Sequence, residues 1–347
     1  MSLRINQLRR WVWLLGLLLI AGASLAAQGN RPRQLTVASA LARFEGTPFT
    51  TDDWVVEIIQ IDTETREALP ALAFWGPDAP AYPLQIRGLR WSFRGNLLAM
   101  TFLERDGSEQ IAIYDTDEQS LAMVLPSDHD LLDISAVDWS QRGNWLVFSA
   151  RHPDDNLQVM QVNRFNGETT ALANGRLPTL SADDAEVAYL NPNDEISILN
   201  IEDEDERTLR GIHPGATSLV WSGDGARLAL TDGPYVVTID VESGQVRRVF
   251  DAFVHLNIPD GAAAATTRSV AWSPDNLTLA VILTVTEHPI LGNLSQVVGI
   301  NADDGTTEIY AERIFADDLP DDPRIFLEVS FQTRGAFVPP RESGSDL

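Results

Sequence analysis

Apolar and polar positions alternate with a period of two along most of this chain, and short turn-like breaks interrupt the alternation at regular intervals. Four stretches share one layout: "LRWSFRGNLLAM" (89–100), "VDWSQRGNWLVF" (137–148), "LVWSGDGARLAL" (219–230) and "VAWSPDNLTLAV" (270–281). In each, an apolar strand ends in Trp-Ser, a tight turn follows, and an apolar strand resumes. "PTLSADDAEVAYL" (178–190) is a weaker copy with Leu180 in the Trp position, and "VSFQTRGAFV" (329–338) is a sixth with Phe331 there. The anchors Trp91, Trp139, Leu180, Trp221, Trp272 and Phe331 lie 48, 41, 41, 51 and 59 residues apart, the spacing of four-stranded propeller blades with loops of varied length.

A second element follows each copy. It is an alternating strand that runs into an acidic or Asn turn: "IIQIDTETRE" (58–67), "IAIYDTDEQS" (111–120), "LQVMQVNRFNGE" (157–168), "ISILNIEDEDE" (196–206), "YVVTIDVESGQ" (235–245) and "VVGINADDGTT" (297–307). The Asn-Gly, Ser-Gly and Asp-Gly tips mark hairpin turns. The chain opens on a second half and closes on a first half. The pattern therefore predicts an all-β, six-bladed β-propeller over residues 54–338, its ring closed by strands from both termini; further strands within 34–53 would make it seven-bladed. Each anchor is expected to pack between neighbouring blades, because one blade cannot bury its own faces. The following Ser and Gly serve the turn, Gly by accepting positive φ and Ser by capping backbone N–H groups.

Ahead of the repeats, Arg4, Arg9 and Arg10 precede the apolar run Trp11–Ala27, which ends in Ser24-Leu25-Ala26. A basic start, an apolar stretch and a small-x-small end read as a secretory signal over 1–27, with an uncleaved signal anchor as the alternative. Residues 28–53 then form a lead-in and 339–347 a flexible tail. Either form of the signal places the body outside the cytoplasm: periplasmic, extracellular or tethered to the outer face of the membrane.

Composition narrows the chemistry. There is no Cys, which excludes disulfides, thiolate metal sites, Cys nucleophiles and a lipoprotein anchor. Every basic residue is Arg, so Schiff-base chemistry, a P-loop Lys and a Ser–Lys dyad are excluded as well. The formal net charge is −25, which repels nucleic acid and anionic lipid, so no nucleic-acid partner is expected and membrane contact only through the N-terminal segment. Solubility accounts for such a charge by itself.

The motifs "WSPDN" with Leu-Ala after it (272–280) and "WSGDG" with Leu-Ala (221–229) resemble the WD40-like repeat of TolB-type propellers, shared by the propeller domains of prolyl oligopeptidase and dipeptidyl peptidase relatives. The resemblance covers most of 54–338. It defines the blade well and the function poorly. TolB itself has an α/β domain before its propeller, and residues 28–54 are too few for one; the peptidases add a hydrolase domain, and no G-x-S-x-G elbow occurs here. The resemblance thus implies a free-standing, non-catalytic propeller that binds a protein or peptide at its end or channel.

Strand alternation sorts the connections onto two ends. The Ser-x-x-Gly turns and acidic tips share one; the longer connections 72–88, 123–136, 149–156, 209–218, 250–269, 283–296 and 312–326 share the other, where binding usually resides. All five His fall there: His129, His152, His213, His255 and His288. They are candidate ligand contacts, set against the bland reading that loops collect polar residues; no H-x-H or H-E-x-x-H spacing marks a metal site, and no cofactor is expected. Trp75, Tyr82 and Phe253 are candidate partner-binding aromatics, or else plugs between blades. The acidic runs 200–206 and 315–323 lack the EF-hand order of ligands, leaving at most a weakly held divalent cation. A propeller glycosidase or lyase with paired carboxylates at the channel is the enzymatic alternative.

Overall fold

The computed structural model describes residues 36–44, 54–75, 83–104, 107–257, 264–288, 292–315 and 325–332, all within one compact unit, Leu35–Leu347. The signal segment, Tyr82, the tail and residues 316–323 of the second acidic run lie outside them. Among the described residues, no helix is long and apolar enough to cross a membrane.

The period-two stretches are strands, and the architecture is a β-propeller. A composite sheet begins with β1 (Thr36–Phe44), β2 (Trp54–Asp62) and β3 (Ala68–Trp75). Five blades then follow, each wound from one continuous run of chain. They are β4 (Pro83–Trp91), β5 (Leu97–Glu104), β6 (Glu109–Asp115), β7 (Ser120–Met123); β8 (Leu132–Trp139), β9 (Trp145–Arg151), β10 (Gln158–Asn163), β11 (Thr169–Asn174); β12 (Arg176–Leu180), β13 (Glu186–Leu190), β14 (Ile196–Asn200), β15 (Glu206–Thr208); β16 (Ala216–Trp221), β17 (Arg227–Asp232), β18 (Tyr235–Asp240), β19 (Val246–Asp251); and β20 (Ala264–Trp272), β21 (Thr278–His288), β22 (Gly292–Asn301), β23 (Thr307–Phe315). A short helix, α1 (Ala252–Leu256), sits between β19 and β20. The last strand, β24 (Ile325–Gln332), returns to the composite sheet, whose order is β24-β1-β2-β3.

Neither six equivalent repeats nor a seventh blade from residues 34–53 is what the described chain builds: five blades are continuous, and the remaining four-stranded sheet, which takes in β1, is assembled from both ends of the described chain. Its make-up also differs from the sequence reading. The 329–338 repeat supplies only its innermost strand; the second strand is β1, drawn from the lead-in, with Ser39 opposite both Val329 and Ile59. The strand expected after Gly335 lies outside the described residues.

Each anchor packs against the blade before it. Trp91 joins Ile58; Trp139 joins Ala99 and Ile111; Leu180 joins Val147 and Val159; Trp221 joins Ala188 and Ile196; Trp272 joins Val220 and Val236; Phe331 joins Ala280 and Val297. Every anchor is at most 8% exposed. The hydrophobic core is thus a set of seams between sheets rather than one central cluster.

The Ser after the anchor is buried for a reason the repeat repeats. In five turns its hydroxyl accepts the backbone N–H five residues on: Leu97 to Ser92, Trp145 to Ser140, Glu186 to Ser181, Arg227 to Ser222 and Thr278 to Ser273, at 2.9–3.2 Å. Three residues after each Ser the backbone is left-handed, at Gly95, Gly143, Asp184, Gly225 and Asn276, which explains the Gly, Asp and Asn found there. The second turn is capped too. The Asp or Asn closing the third strand accepts backbone N–H groups at Asp62, Asp115, Asn163, Asn200, Asp240 and Asn301.

Two substitutions test this construction by chemical denaturation. Trp139→Ala should cost about 3–5 kcal/mol by emptying a seam, and Ser222→Ala roughly 1 kcal/mol by removing the acceptor of a partly buried N–H. Phe165→Ala, at a surface position, should cost little.

Candidate functional site

His129, His152, His213 and His255 lie on connections between strands, and His288 at a strand end. Among the described residues the structure does not bring them together: His129, His152, His213 and His255 each meet separate partners. In His129, Nδ1 accepts the Leu131 N–H at 3.2 Å, so Nε2 carries the proton and donates to the Glu109 carbonyl at 2.8 Å. Half-exposed His152 meets Asp130 at 2.9 Å. His213 is buried, its Nδ1 3.2 Å from Asp232 and its Nε2 without a partner among the described residues. His255, on α1, contacts Thr307 Oγ1 at 3.1 Å and Gln296 at 3.3 Å, and burial lowers its pKa from the ordinary value. His288 is the last residue of β21 rather than a loop residue, because β21 and β22 extend the hairpin past the range read as loop; its side chain lies outside the described residues. Among the described residues, no three His, Asp or Glu side chains are grouped to hold a metal ion.

The aromatics fare differently from a platform. Phe253 packs on the seam core beside buried Phe250, because α1 turns it inward; the helix is capped by Asp251, which accepts from Phe253 and Val254. Trp75 ends β3, its backbone opposite Val56, with its side chain outside the described residues.

The residues the sequence reading missed lie on the innermost strands. Each of these strands is an edge of its sheet, with N–H groups that its own blade cannot satisfy. The neighbouring blade satisfies them. Ser330 accepts Trp91 N–H at 3.1 Å; Asp138 accepts Leu180 N–H at 3.0 Å; Thr179 accepts Trp221 N–H at 3.0 Å; Ser218 accepts Val270 N–H at 3.1 Å; Ser269 accepts Val329 N–H at 3.0 Å. Between β4 and β8 the Trp139 indole N–H donates to the Arg90 carbonyl at 2.9 Å. The circuit runs β4, β8, β12, β16, β20, β24 and back to β4. A register shift interrupts every one of these strands, around Arg87, Ala136, Leu177, Thr217, Ser269 and Leu327. Such bulges re-aim side chains. The polar residue just before an anchor, as in Arg90, Asp138, Thr179 and Ser330, was the available signal.

Two acids belong to this inner wall. Asp138 is a hub: it accepts from Trp139 N–H, Leu180 N–H and the Thr179 hydroxyl, with Arg90 at 3.6 Å. Glu328, on the closing strand, is partly buried; burial pushes its pKa up to about 7, against the Ser269 hydrogen bond and the charges of Arg90 and Arg268 on the flanking strands, which pull it down.

A carboxyl whose pKa is higher folded than unfolded binds its proton more tightly when folded. Its contribution is full below the unfolded value of 4.5 and is lost as pH rises through about 7. The melting temperature should therefore fall between mildly acidic and mildly alkaline pH, and Glu328→Gln should flatten that fall. An unchanged slope in the variant would assign the effect elsewhere.

No protein-family profile and no curated protein sequence matches the chain. Solved structures do. TolB from Acinetobacter baumannii superposes with a TM-score of 0.59 at 13% identity, over 84% of this chain and 66% of that one, so the chain spans just under two thirds of that structure. A putative TolB from Agrobacterium tumefaciens superposes with a TM-score of 0.55 at 12% identity, over 86% of this chain and 99% of that one. In fold, this chain is a TolB-like β-propeller protein.

Proposed function

We infer that the protein is a non-catalytic binding propeller of the cell envelope or exterior, a ring in which the composite sheet serves as the sixth blade and the longer connections present a surface to a protein or peptide partner. The observation that supports this best is the commitment of the inner wall to structure: Asp138 accepts three hydrogen bonds, one from Trp139 on its own strand and two, from Thr179 and Leu180, that join it to the next blade. An acid so engaged is a poor catalytic base. Likeness in fold to TolB and the basic-then-apolar N-terminus favour an exported setting.

The enzymatic alternative retains one supporting feature, the raised pKa of Glu328 at the inner wall. It needs a second, available carboxylate, and Arg90 stands between Glu328 and the occupied Asp138.

A photo-crosslinking residue separates the readings by position. His152 and exposed Ile212 mark the end with the longer connections; exposed Leu277 marks the end with the capped turns. In the native envelope fraction, crosslinks to one protein are expected from His152 and Ile212 and not from Leu277. Equal crosslinking from both ends, or substrate turnover abolished by Glu328→Gln, contradicts the proposal.

A further inference from the structure

Three residues after each anchor the first turn carries a charge, and its sign divides the ring. The blades that begin with β12, β16 and β20 have Asp183, Asp224 and Asp275 there; those that begin with β4 and β8 have Arg94 and Arg142. Arg334, three after Phe331, lies outside the described residues. The aspartates are spent on their own turns. Each accepts the hydroxyl of the Ser two residues before it, at 2.5–2.7 Å, and the backbone N–H two residues after it, at 3.1 Å. An arginine can accept neither. Arg94 and Arg142 are exposed instead, with no hydrogen bond or ion pair among the described residues.

Arg164 joins them. Its backbone N–H donates to the Asn144 carbonyl at 3.2 Å, which lays the outer turn of that blade against the turn of Arg142. Its guanidinium covers the ring of Phe165 at 4.3 Å, its buried Nε has no partner among the described residues, and Phe165 is 69% exposed. Eight other described arginines are ion-paired; these three are not. Asp184, in the adjoining turn, is held by the Gln141 N–H at 2.7 Å, and Asp115, in the outer turn of the blade before, by the N–H groups of Asp117 and Glu118.

We propose that these turns form a docking track for an extended acidic segment of a partner protein, its carboxylates on Arg94, Arg142 and Arg164 and an apolar side chain on Phe165. In a chain with 50 acidic residues against 25 basic ones, neighbouring guanidiniums without a carboxylate select for carboxylates from outside. Packed sheets stand about 10 Å apart, so one anion cannot serve Arg94 and Arg142 together, whereas an extended segment rising about 3.3 Å per residue places acids on both. The planar guanidinium meets each carboxylate as a fork. Exposed Phe165 favours a peptide, which has apolar side chains to offer, over a bare polyanion. Leu277 stands across the ring, in the turn of Asp275, clear of the track. The track is separate from the longer connections and stands whether or not those bind a partner.

The probe is a fluorescent peptide, Gly-Asp-Glu-Leu-Asp-Glu-Leu-Gly, blocked at both ends and titrated against the full chain with anisotropy as readout. The net charge of −25 repels such a peptide, so binding reads the local track and not bulk attraction. Binding is expected. Arg142→Glu and Arg164→Glu, with folding checked by thermal melting, should each weaken it about tenfold or more; Arg142 is a surface position, so its variant carries the test if Arg164→Glu fails to fold. Phe165→Ala should weaken it several-fold, and Arg210→Glu, at an exposed arginine before β16, should leave it unchanged. Absence of binding, or an equal loss in Arg210→Glu, overturns the proposal. So does displacement by tripolyphosphate together with indifference to Phe165→Ala, which would mark a general anion site.

Discussion

A four-stranded β-sheet with two apolar faces has nowhere to hide them except against another such sheet, and this constraint organises the whole molecule. The large side chain that ends each innermost strand answers it by wedging into the preceding blade, as Trp139 does against Ala99 and Ile111. No blade is stabilised alone; each depends on the seams to either side. The polar circuit follows from the same arrangement. Innermost strands are sheet edges, and the side chains of Asp138, Thr179, Ser218, Ser269 and Ser330 supply from the next blade the acceptors that the home blade cannot. Apolar seams and inner-wall hydrogen bonds thus link the same neighbours in the same order.

This division of labour leaves a rigid body whose inner residues are spent on cohesion. The buried Ser and Asp residues that look chemically promising in isolation are turn caps and strap points. The histidines do no better: His129, His152, His213 and His255 each answer to a partner in its own neighbourhood. Variation is left to the outward positions: the longer connections at one end and the outer strand edges. Recognition by such a body depends on side chains it presents, and the first turns show one repeat position spent on a cap at Asp224 and left to solvent at Arg142.

Much of the fold was legible because it is repetitive. Trp-Ser followed by a left-handed residue announced the first turn, and the terminal Asp or Asn of the third strand announced the second. The composite sheet was legible only in outline. β1, with Ala at three of its nine positions, carries too weak an alternation to be told from a lead-in, and its place between β24 and β2 is a fact of long-range pairing. Outer strands such as β15, whose three residues are all exposed, leave no apolar pattern at all. The contacts of the candidate residues were not legible. That Phe253 would turn inward depended on the Asp251 cap, and that Asp138 would span two blades depended on a neighbour forty residues away.

The central claim is that the C-terminal strand closes the ring by pairing with β1. The register sets Ala42 opposite Ile325, and the chain has no native Cys to interfere. Cysteines at these two positions should form a disulfide under mild oxidation in the folded protein and raise its melting temperature. Two thiols that stay free in the native state, with melting unchanged, would contradict the closure.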